Sequence, residues 1–363
     1  MRKKPEVRII CDLQFGSTGK GLIAGYLAKR DHPDVLVTAW MPNAGHTYAD
    51  DHKTYIHTML ANGIVSPRLQ YVLIGPGSVV NLESLVQEII AANLPVMVQV
   101  LIHPSAAVVS ERHREQESSG SMVAIGSTRK GSGAAMIEKI LRDGSRRITA
   151  GLMAEDIENY ATARGVNNLA VTTHSDYEMI LRNASRVQLE GAQGFSLGIN
   201  SGFWPYTTSR ECTPAQMASD CLIPLSWVTQ VVGTLRTYPI RVANRYDDEG
   251  QVIGYSGPCY QDQEETTWEA IGQKTELTTV TKLPRRVFTF SWQQLAQAMS
   301  RIEPTQLFLN FANYLDPQDL HNMHRKINRM AADYDCGRVR YIGYGPRDRD
   351  VVDVGAGFAE EYW

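Results

Sequence analysis

The sequence has 363 residues, of which 43% are hydrophobic and 21% charged, so it can bury the core of a large globular protein. Its formal net charge of −3 provides no basic surface of the kind that binds a nucleic-acid polymer or a membrane. Five dispersed cysteines without a Cys-x-x-Cys pair argue against a disulfide framework and a zinc site, and no apolar run reaches the roughly 18 residues of a membrane span. We therefore expect a cytoplasmic protein with reduced thiols.

Short apolar runs rich in β-branched residues alternate with helical patterns along the chain. The predicted strands are the runs at residues 7–11, 34–40, 70–77, 95–102, 186–191, 305–311 and 338–345. The predicted helices, in which apolar residues recur at three- and four-residue spacing, are residues 21–30, 82–93, 291–302 and 319–334. This alternation predicts an α/β fold with a mostly parallel central sheet, helices on both faces and one domain over residues 1–363. In such a sheet the sites lie at the carboxyl ends of the strands.

Three long segments lack regular periodicity. Residues 117–133 and 191–214 are rich in Gly, Ser and Thr, and residues 244–286 are polar and charged. Irregular segments of this length are uncommon inside a compact domain unless they serve a function. We therefore expect them to be functional loops.

A glycine-rich turn, "QFGSTGKG" at residues 14–21, separates the first predicted strand from the first predicted helix. It is not the common P-loop, because Gln14 replaces the first glycine of that motif and Gly21 replaces its hydroxyl residue. A strand-to-helix turn nevertheless directs backbone N–H groups and the helix dipole at one point, which suits a phosphate. The residues alone leave two interpretations open, a phosphate cradle or a turn whose glycines serve only its geometry.

Four further stretches carry groups suited to chemistry. "PNAGHT" contains His46, and "AIGSTRKGSGAA" at residues 124–135 could cradle a second phosphate. The stretch from Leu189 onwards supplies the amide of Gln193 and the hydroxyl of Thr208. "TTVTKLPRRV" at residues 278–287 and "NFANYLD" at residues 310–316 supply a basic loop and a strand end. Taken singly, His46 could equally be a surface or capping histidine, and residues 124–135 a flexible loop.

Taken together, these stretches resemble the adenylosuccinate synthetase family over most of the chain. "NAGHT" and "EGAQG" match the family motifs residue for residue and in the family's order. The resemblance implies a two-step ligation: a nucleoside triphosphate first phosphorylates O6 of a 6-oxopurine nucleotide, and the amine of aspartate then displaces that phosphate at C6. It also implies Mg2+ as cofactor and a homodimer in which Arg142 reaches the neighbouring subunit's site.

The same resemblance assigns site residues. Those implied to be catalytic are Ser17, Lys20, His46 (as general acid) and Gln193. Those implied to bind the triphosphate are Gly16, Thr18, Gly19, Lys20, Gly21, Thr47, Asn313, Gly345 and Pro346. Those implied to bind the purine nucleotide are Ser17, Asn43, Ser127, Thr128, Arg142, Gln193, Thr208 and Val242. Aspartate is assigned to Thr279, Thr281 and Arg285, and magnesium to the backbone carbonyl of Gly45.

Three positions depart from the family pattern. Ser17 stands at the catalytic aspartate, which indicates either a degenerate enzyme or a substrate with an exocyclic 2-amino group that needs the extra room. Leu283 stands at an arginine that contacts the ribose 2′-hydroxyl, so a ribose would lose a partner and a deoxyribose would not; a slip in the loop alignment is the alternative. Asn313 stands at the aspartate that selects guanine, and its amide suits adenine unless the change is neutral and GTP is retained.

The three departures converge on one substrate set. A guanine-like deoxynucleotide acceptor and an adenine nucleotide donor are the substrates of a phage branch of this family, which uses dGMP in the synthesis of diaminopurine DNA. We therefore predict a ligase that acts on dGMP, ATP or dATP, and L-aspartate. An ordinary adenylosuccinate synthetase using IMP and GTP, and a regulator that binds nucleotides without catalysis, are the alternatives.

Overall fold

The computed structural model describes residues 4–118, 128–278 and 282–355, and most of its strands belong to one ten-stranded sheet. In chain order the strands are β1 (Glu6–Asp12), β2 (Val35–Thr38), β3 (His46–Ala49), β4 (Thr54–His57), β5 (Tyr71–Ile74), β6 (Val79–Val80), β7 (Gln99–Ile102), β8 (Ala107–Val108), β9 (Leu169–Val171), β10 (Arg186–Glu190), β11 (Val228–Arg236), β12 (Ile240–Arg241), β13 (Arg245–Tyr246), β14 (Val252–Gly254), β15 (Glu265–Thr266), β16 (Arg286–Phe288), β17 (Gln306–Asn310), β18 (Val339–Gly343) and β19 (Val351–Asp353). The α-helices are α1 (Lys20–Asp31), α2 (Leu82–Ala92), α3 (Glu111–Glu117), α4 (Ser132–Leu141), α5 (Ala154–Thr162), α6 (His174–Asn183), α7 (Pro214–Asp220), α8 (Trp292–Ile302) and α9 (Pro317–Asp333). None of these helices combines the length and the apolar character that crossing a membrane would require.

The main sheet has the strand order β19-β18-β17-β11-β1-β10-β2-β5-β7-β9. Neighbouring strands are parallel except for the edge pair β18 and β19, which is antiparallel. The predicted mostly parallel α/β sheet is therefore confirmed. Because parallel strands all point the same way, the loops that follow β1, β2, β10, β11, β17 and β18 meet at one edge.

Helices cover both faces of the sheet. Val7, Ile9 and Cys11 on β1 share a buried core with side chains of α6, α7, α8 and α9. Ile10, which points to the opposite face as strand periodicity requires, shares a core with α1. Leu36 on β2 lies in a third core with side chains of α2 and α5, again opposite the first. The sheet is thus the middle layer of three, as the sequence pattern predicted.

Helix α1 follows β1 after a turn of only seven residues, numbers 13–19. It ends where His32 adopts a left-handed conformation with φ of 52°, with Lys29 and Arg30 in its last turn. Basic residues at this end complement the helix dipole, whereas no acidic residue lies in the first turn. The amino terminus of α1, at the carboxyl edge of the sheet, therefore keeps its positive end for a ligand.

Candidate active site at the carboxyl edge of the central sheet

A cavity of about 1210 Å³ opens at the carboxyl edge of the sheet. Its lining comes from Glu117, Ser256 and residues in the segments 15–22, 43–47, 128–133, 193–209, 240–245, 276–278, 283–285, 310–314 and 345–346. Most of these segments directly follow β1, β2, β10, β11, β17 and β18. The cavity therefore lies where the fold brings separate motifs together, as the sequence predicted.

The turn between β1 and α1 forms one wall of the cavity and is shaped by its glycines. Gly19 has φ of +94°, and a Cβ there would lie 2.1 Å from the amide nitrogen of Asn310. A Cβ on Gly21 would lie 2.6 Å from the carbonyl oxygen of Thr47, so glycine lets α1 approach β3. These positions admit no larger residue, and the turn presents the amino terminus of α1 to the cavity. Of the two interpretations of this turn, its position at the cavity favours the phosphate cradle.

Lys20 is anchored below the turn by Asp12, a residue that the sequence analysis did not single out. Asp12 is fully buried at the end of β1, and its Oδ2 accepts a hydrogen bond from Lys20 Nζ at 3.0 Å. Lys20 Nζ also donates to the carbonyl oxygen of Gln193 at 2.7 Å. The hydroxyl of Thr18 lies against Asp12 and Thr234. The side chain of Thr18 is buried beneath the turn and does not line the cavity, so only the main chain of Thr18 remains for the predicted triphosphate contact.

His46 begins β3 and lines the cavity with its imidazole stacked on the indole of Trp40. The ring centroids are 4.1 Å apart and the planes 18° from parallel. The indole N–H of Trp40 donates to the carbonyl oxygen of Glu190, which fixes the indole against the sheet. Burial, followed by the charges of Lys20 and His57, lowers the pKa of His46 well below its ordinary value. His46 is therefore a neutral, oriented imidazole whose buried Nε2 has no hydrogen-bond partner among the described residues.

Gln193 is hydrogen-bonded to two other predicted residues, Lys20 and Asn43. Its backbone has φ of 63°, its carbonyl oxygen accepts from Lys20, and its side-chain amide donates to Asn43 Oδ1 at 3.0 Å. Thr208 lies on the same wall, with a buried hydroxyl that has no partner within the described ranges. A buried hydroxyl without a protein partner costs free energy unless a ligand satisfies it. Asn43, Gln193 and Thr208 thus form a polar surface suited to a nucleotide.

A second glycine-rich loop precedes α4. Thr128 lines the cavity, whereas Ser127 lies outside the described residues. The carboxylate of Glu117 accepts backbone N–H bonds from Gly131 and Gly133 at 2.7 and 2.6 Å and so fixes the start of α4. Glu117 was not predicted as a site residue, because nothing in its sequence neighbourhood distinguishes it from other helix carboxylates.

The basic side of the cavity is built around Arg236, another residue that the sequence analysis missed. Its guanidinium is fully buried, donates to the carboxylate of Glu276 and to the carbonyl oxygen of Ser17 at 3.1 Å, and lies 3.8 Å from the ring centre of Phe311. Glu276 also accepts from the hydroxyl of Tyr314. Arg236 is the last residue of β11, and a polar residue at that position of a strand is the signal that could have identified it.

Arg285 and Leu283 also lie on this side and line the cavity. Burial, together with Arg236, lowers the pKa of Arg285 to about 10, although Glu276 opposes the shift. Arg285 therefore stays positively charged at neutral pH and can meet a carboxylate. The two threonines predicted beside it, Thr279 and Thr281, lie outside the described residues.

The far end of the cavity is formed by the loops after β17 and β18. Asn313, Gly345 and Pro346, which were predicted to bind the triphosphate, line this end. Asn310, at the end of β17, donates its side-chain amide to the carbonyl oxygen of Thr18 and so ties this wall to the glycine-rich turn. The remaining predicted lining residues, Gly16, Thr47 and Val242 among them, also face the cavity.

Two further predictions concern the neighbouring subunit and the magnesium ion. Arg142 follows α4 on the surface and is not among the described residues that line the cavity, so its role in a neighbouring subunit's site stays a prediction. For magnesium, Gly45 lines the cavity, but the described residues contain no cluster of three or more His, Cys, Asp or Glu that could hold a metal ion.

The chain is similar to known proteins over nearly its whole length. The family model for adenylosuccinate synthetase matches residues 9–160 and 148–323. The N6-succino-2-amino-2'-deoxyadenylate synthase of Salmonella phage PMBT28 is 51% identical over 361 residues, covering 97% of this chain and 98% of the relative. The synthase of the same name from Acinetobacter phage SH-Ab 15497 is also 51% identical, covering 93% of this chain and 90% of the relative.

Among solved structures, the succinoaminodeoxyadenylate synthetase of cyanophage S-2L aligns with a TM-score of 0.86 and 39% sequence identity. The alignment covers 97% of this chain and 96% of that one, and that protein is described as bound to dGMP and to dATP as an energy donor. The match of the family model and the high identity over nearly the whole chain show that the chain belongs to the adenylosuccinate synthetase family.

Proposed function

We propose that this chain is a ligase that joins L-aspartate to C6 of dGMP, with ATP or dATP as phosphoryl donor. The observation that carries the proposal is the convergence of Lys20, His46, Gln193 and Arg285 on one cavity in which Ser17, Leu283 and Asn313 also lie. Its phage relatives are named for the product of this reaction, and the cyanophage structure holds dGMP with dATP. The product, 2-amino-2'-deoxyadenylosuccinate, leads to diaminopurine for DNA.

In the first step the γ-phosphoryl group of the donor passes to O6 of dGMP, the donor leaves as its nucleoside diphosphate, and the proton of N1 is released to solvent. The glycine-rich turn and the amino terminus of α1 hold the donor phosphates, and Lys20 stabilises the charge of the transferring group. His46 lines the same cavity as this turn, and the incoming phosphates favour its protonated form because they bring negative charge. Its Nε2–H then stabilises the charge that develops on O6, as a general acid does.

In the second step the amine of aspartate attacks C6, and the phosphate leaves with the former O6. Arg285 remains charged at neutral pH and binds a carboxylate of aspartate, a pairing for which the guanidinium geometry is suited. Thr279 and Thr281 remain the predicted partners of aspartate from sequence. Asn43, Gln193 and Thr208 hold the nucleotide on the opposite side, with Thr128 at its 5′-phosphate. Ser127 remains a predicted partner of that phosphate from sequence.

Two positions select the acceptor. Ser17 presents a small side chain to the cavity and leaves space for the 2-amino group of guanine, which hypoxanthine lacks. Leu283 lines the cavity with an apolar side chain, so a ribose 2′-hydroxyl beside it would lose a hydrogen-bonding partner at a cost of about 1–3 kcal/mol. Deoxyribose carries no such hydroxyl and loses nothing.

The family implies magnesium, and the cavity fits an ion carried mainly by the phosphates. The carboxylates of Glu117 and Glu276 line the cavity but are engaged by backbone N–H groups and by Arg236. Magnesium usually keeps several waters and binds substrate phosphates with few protein ligands. The Gly45 carbonyl and the Ser17 hydroxyl are the groups that would hold it, and the ion would neutralise charge on the transferring phosphoryl group.

We also propose that the chain functions as a homodimer. Helix α4 exposes Ile137, Ile140 and Leu141, which are 56%, 66% and 69% exposed, directly before Arg142. Apolar residues at this spacing form a surface stripe on a helix, and a large exposed patch marks an interface. If a second subunit covers this stripe, Arg142 would lie near the nucleotide site of that second subunit. We further propose that residues 1–363 form one domain and that the protein acts in the cytoplasm of the host cell.

A phosphate-release assay tests the proposed function. dGMP, GMP and IMP are each combined with ATP, dATP and GTP, with and without aspartate. We expect aspartate-dependent release to be fastest with dGMP and an adenine nucleotide, slower with GMP because of Leu283, and slowest with IMP. The Ser17→Asp variant should shift the preference towards IMP.

Each alternative gives a different result in this assay. Wild-type preference for IMP with GTP would identify an ordinary adenylosuccinate synthetase. Nucleotide binding without aspartate-dependent release, under every substrate combination, would leave a regulator that does not catalyse. Equal rates with GMP and dGMP would show that Leu283 does not face the sugar.

A further inference from the structure

The carboxylate of Asp12 lies directly under the glycine-rich turn and contacts four hydrogen-bond donors. Its Oδ1 accepts the backbone N–H groups of Gln14 and Gly16 at 2.8 and 3.1 Å, and its Oδ2 accepts Lys20 Nζ at 3.0 Å together with the hydroxyl of Thr18. Asp12 is 0% exposed and Lys20 is 6% exposed. The two residues form a buried ion pair. Among the described residues Lys20 lines the cavity, whereas Asp12 does not.

The surroundings hold the carboxylate in one place. Asp12 is the last residue of β1 and pairs in register with Thr234 on β11, in the middle of the sheet. The hydroxyl of Thr234 contacts the Thr18 hydroxyl, which in turn contacts Asp12. A buried carboxylate is tolerated when its oxygens are fully hydrogen-bonded and paired with a cation, and here they are. Both β1 and β11 therefore fix the oxygen that Lys20 meets.

The geometry at Lys20 leaves one donor for a ligand. An ammonium group has three N–H donors. One is taken by Asp12 Oδ2 and one by the carbonyl oxygen of Gln193, at 3.0 and 2.7 Å. Lys20 lines the cavity, so its third N–H can be directed towards a phosphate held by the turn. A free lysine side chain would have to give up its rotamer freedom to reach the same geometry.

We propose that Asp12 is a positioning residue that directs Lys20 at the transferring phosphoryl group. The inference rests on the proposed function for the identity of the donor. Asp12 acts through Lys20 and touches no substrate itself. Its charge and its fixed position hold the ammonium where the phosphoryl group passes, and a displacement of about 1 Å at such a site can cost about 10²-fold in rate.

The variant Asp12→Asn tests this role. The amide oxygen can still accept the N–H groups of Gln14 and Gly16, whereas the amide NH2 would face the Lys20 ammonium as a second donor. We expect kcat/KM for the donor to fall about 10²-fold. Asp34→Asn is the matched control: Asp34 also accepts two backbone N–H groups, from Ser185 and Arg186, but at the opposite edge of the sheet, and its kinetics should stay at the wild-type value.

A double-mutant cycle separates positioning from a general effect on folding. Binding of a non-hydrolysable ATP analogue is measured by calorimetry for wild type, Asp12→Asn, Lys20→Met and the double variant. We expect Asp12→Asn to weaken binding several-fold in the wild-type background and to add little in the Lys20→Met background, since interacting residues are not additive. An equal loss in both backgrounds would overturn the proposal.

This cycle measures binding and needs no turnover. It therefore tests the role of Asp12 separately from the proposed function, which fails if the wild-type protein shows no aspartate-dependent phosphate release. If Asp12→Asn does not fold, Asp12→Ser carries the same cycle, because its hydroxyl can still accept a backbone N–H while the charge is removed.

Discussion

At the scale of single residues, the imidazole of His46 is the feature most directly tied to chemistry. It is buried, stacked on Trp40 and without a partner at Nε2 among the described residues. We predict that His46→Asn lowers kcat by about 10²-fold or more, as the loss of a general acid does, while binding of dGMP and ATP is largely kept. Single-turnover kinetics and calorimetry measure the two effects separately.

His103 supplies a matched control for this prediction. It is also buried, and burial first and the charge of His174 second lower its pKa to about 4, but it does not line the cavity. His103→Asn should therefore leave kcat unchanged. Near-normal turnover in His46→Asn would remove His46 from the mechanism.

The second prediction at this scale concerns Asn313. Its side-chain amide can donate to N1 of adenine and accept from N6. Guanine carries donors at N1 and N2 instead, so the N–H of the amide would face another donor and stay unpaired. We predict that ATP and dATP support turnover and that GTP does so poorly, because a site built for one base leaves buried polar groups unpaired with the other. Asn313→Asp should weaken use of ATP. Steady-state rates with GTP equal to those with ATP would contradict the assignment.

Residue by residue, the sequence identified the groups that face the cavity better than the groups behind them. Lys20, His46 and Gln193 stand in motifs whose spacing matches the family. Asp12 and Arg236 belong to no recognisable motif. Each is a single charged residue at the end of a strand, so the sequence pattern does not distinguish it. Their importance comes from pairings with Lys20 and Glu276, which the fold brings together from positions distant in sequence.

At the scale of elements, the predicted strands and helices are confirmed, with shifts at their ends. The strand predicted at 95–102 begins at Gln99, because Val98 donates to the carbonyl oxygen of Pro95 in a turn. The long strand β11 was missed, since Thr, Gln and Gly interrupt its apolar run. Its Gly233 is required by packing: a Cβ there would lie 2.8 Å from the side chain of Leu13.

Helices and short strands with few buried residues were also missed. Helix α6 buries only Tyr177 and Leu181, and α5 only Ile157 and Ala161, so each offers few buried apolar residues by which a helix can be recognised. The polar segment 244–286, predicted as irregular, contains the small strands β13, β14 and β15. β13 and β14 pair with each other as a short hairpin, whereas β15 pairs with β16, about 20 residues further along the chain.

Helix α4 carries the prediction about assembly. If Arg142 completes the neighbouring subunit's site, two inactive variants should complement each other. Arg142→Ala lacks the arginine that reaches across, and Lys20→Met lacks the lysine within its own site. We predict that mixing and re-equilibrating the two restores up to about a quarter of wild-type activity, because half of the mixed dimers' sites are intact and half the dimers are mixed.

The exposed stripe on α4 gives the control for this experiment. Ile140→Glu should convert the dimer to a monomer in analytical ultracentrifugation and abolish the complementation. Met179→Glu, a similar change at an exposed apolar residue of α6, should leave the dimer intact. A wild-type monomer with full activity, or the absence of any restored activity on mixing, would contradict the shared site.

At the scale of the whole molecule, buried histidines set how stability depends on pH. Burial is the largest cause that lowers the pKa of His46, His57 and His103, the last two to about 4. Since the unfolded chain binds these protons near pH 6.5 and the folded chain does not, stability is full above pH 6.5 and falls as the pH drops towards 4. Each proton that the unfolded chain binds and the folded chain does not lowers the free energy of unfolding by about 1.4 kcal/mol for every pH unit of acidification.

Glu190 acts in the opposite direction. Burial raises the pKa of its carboxyl to about 7, so its contribution is largest in acid and is lost as the pH rises from about 4.5 to 7. Three histidines outweigh one carboxyl, and we predict a lower free energy of unfolding at pH 5 than at pH 7 in urea titrations. His57→Gln should flatten this dependence by about one proton, and a higher stability at pH 5 would contradict the account.

The measurement that tests the central claim most directly is the fate of the oxygen at C6. dGMP labelled with 18O at C6 is incubated with ATP, aspartate and magnesium, and the phosphate released is analysed by mass spectrometry. Ligation through a 6-phosphoryl intermediate predicts that each phosphate carries one 18O atom and that the nucleotide product gains aspartate and loses the label. Unlabelled phosphate, with the label retained in the nucleotide, would contradict the account.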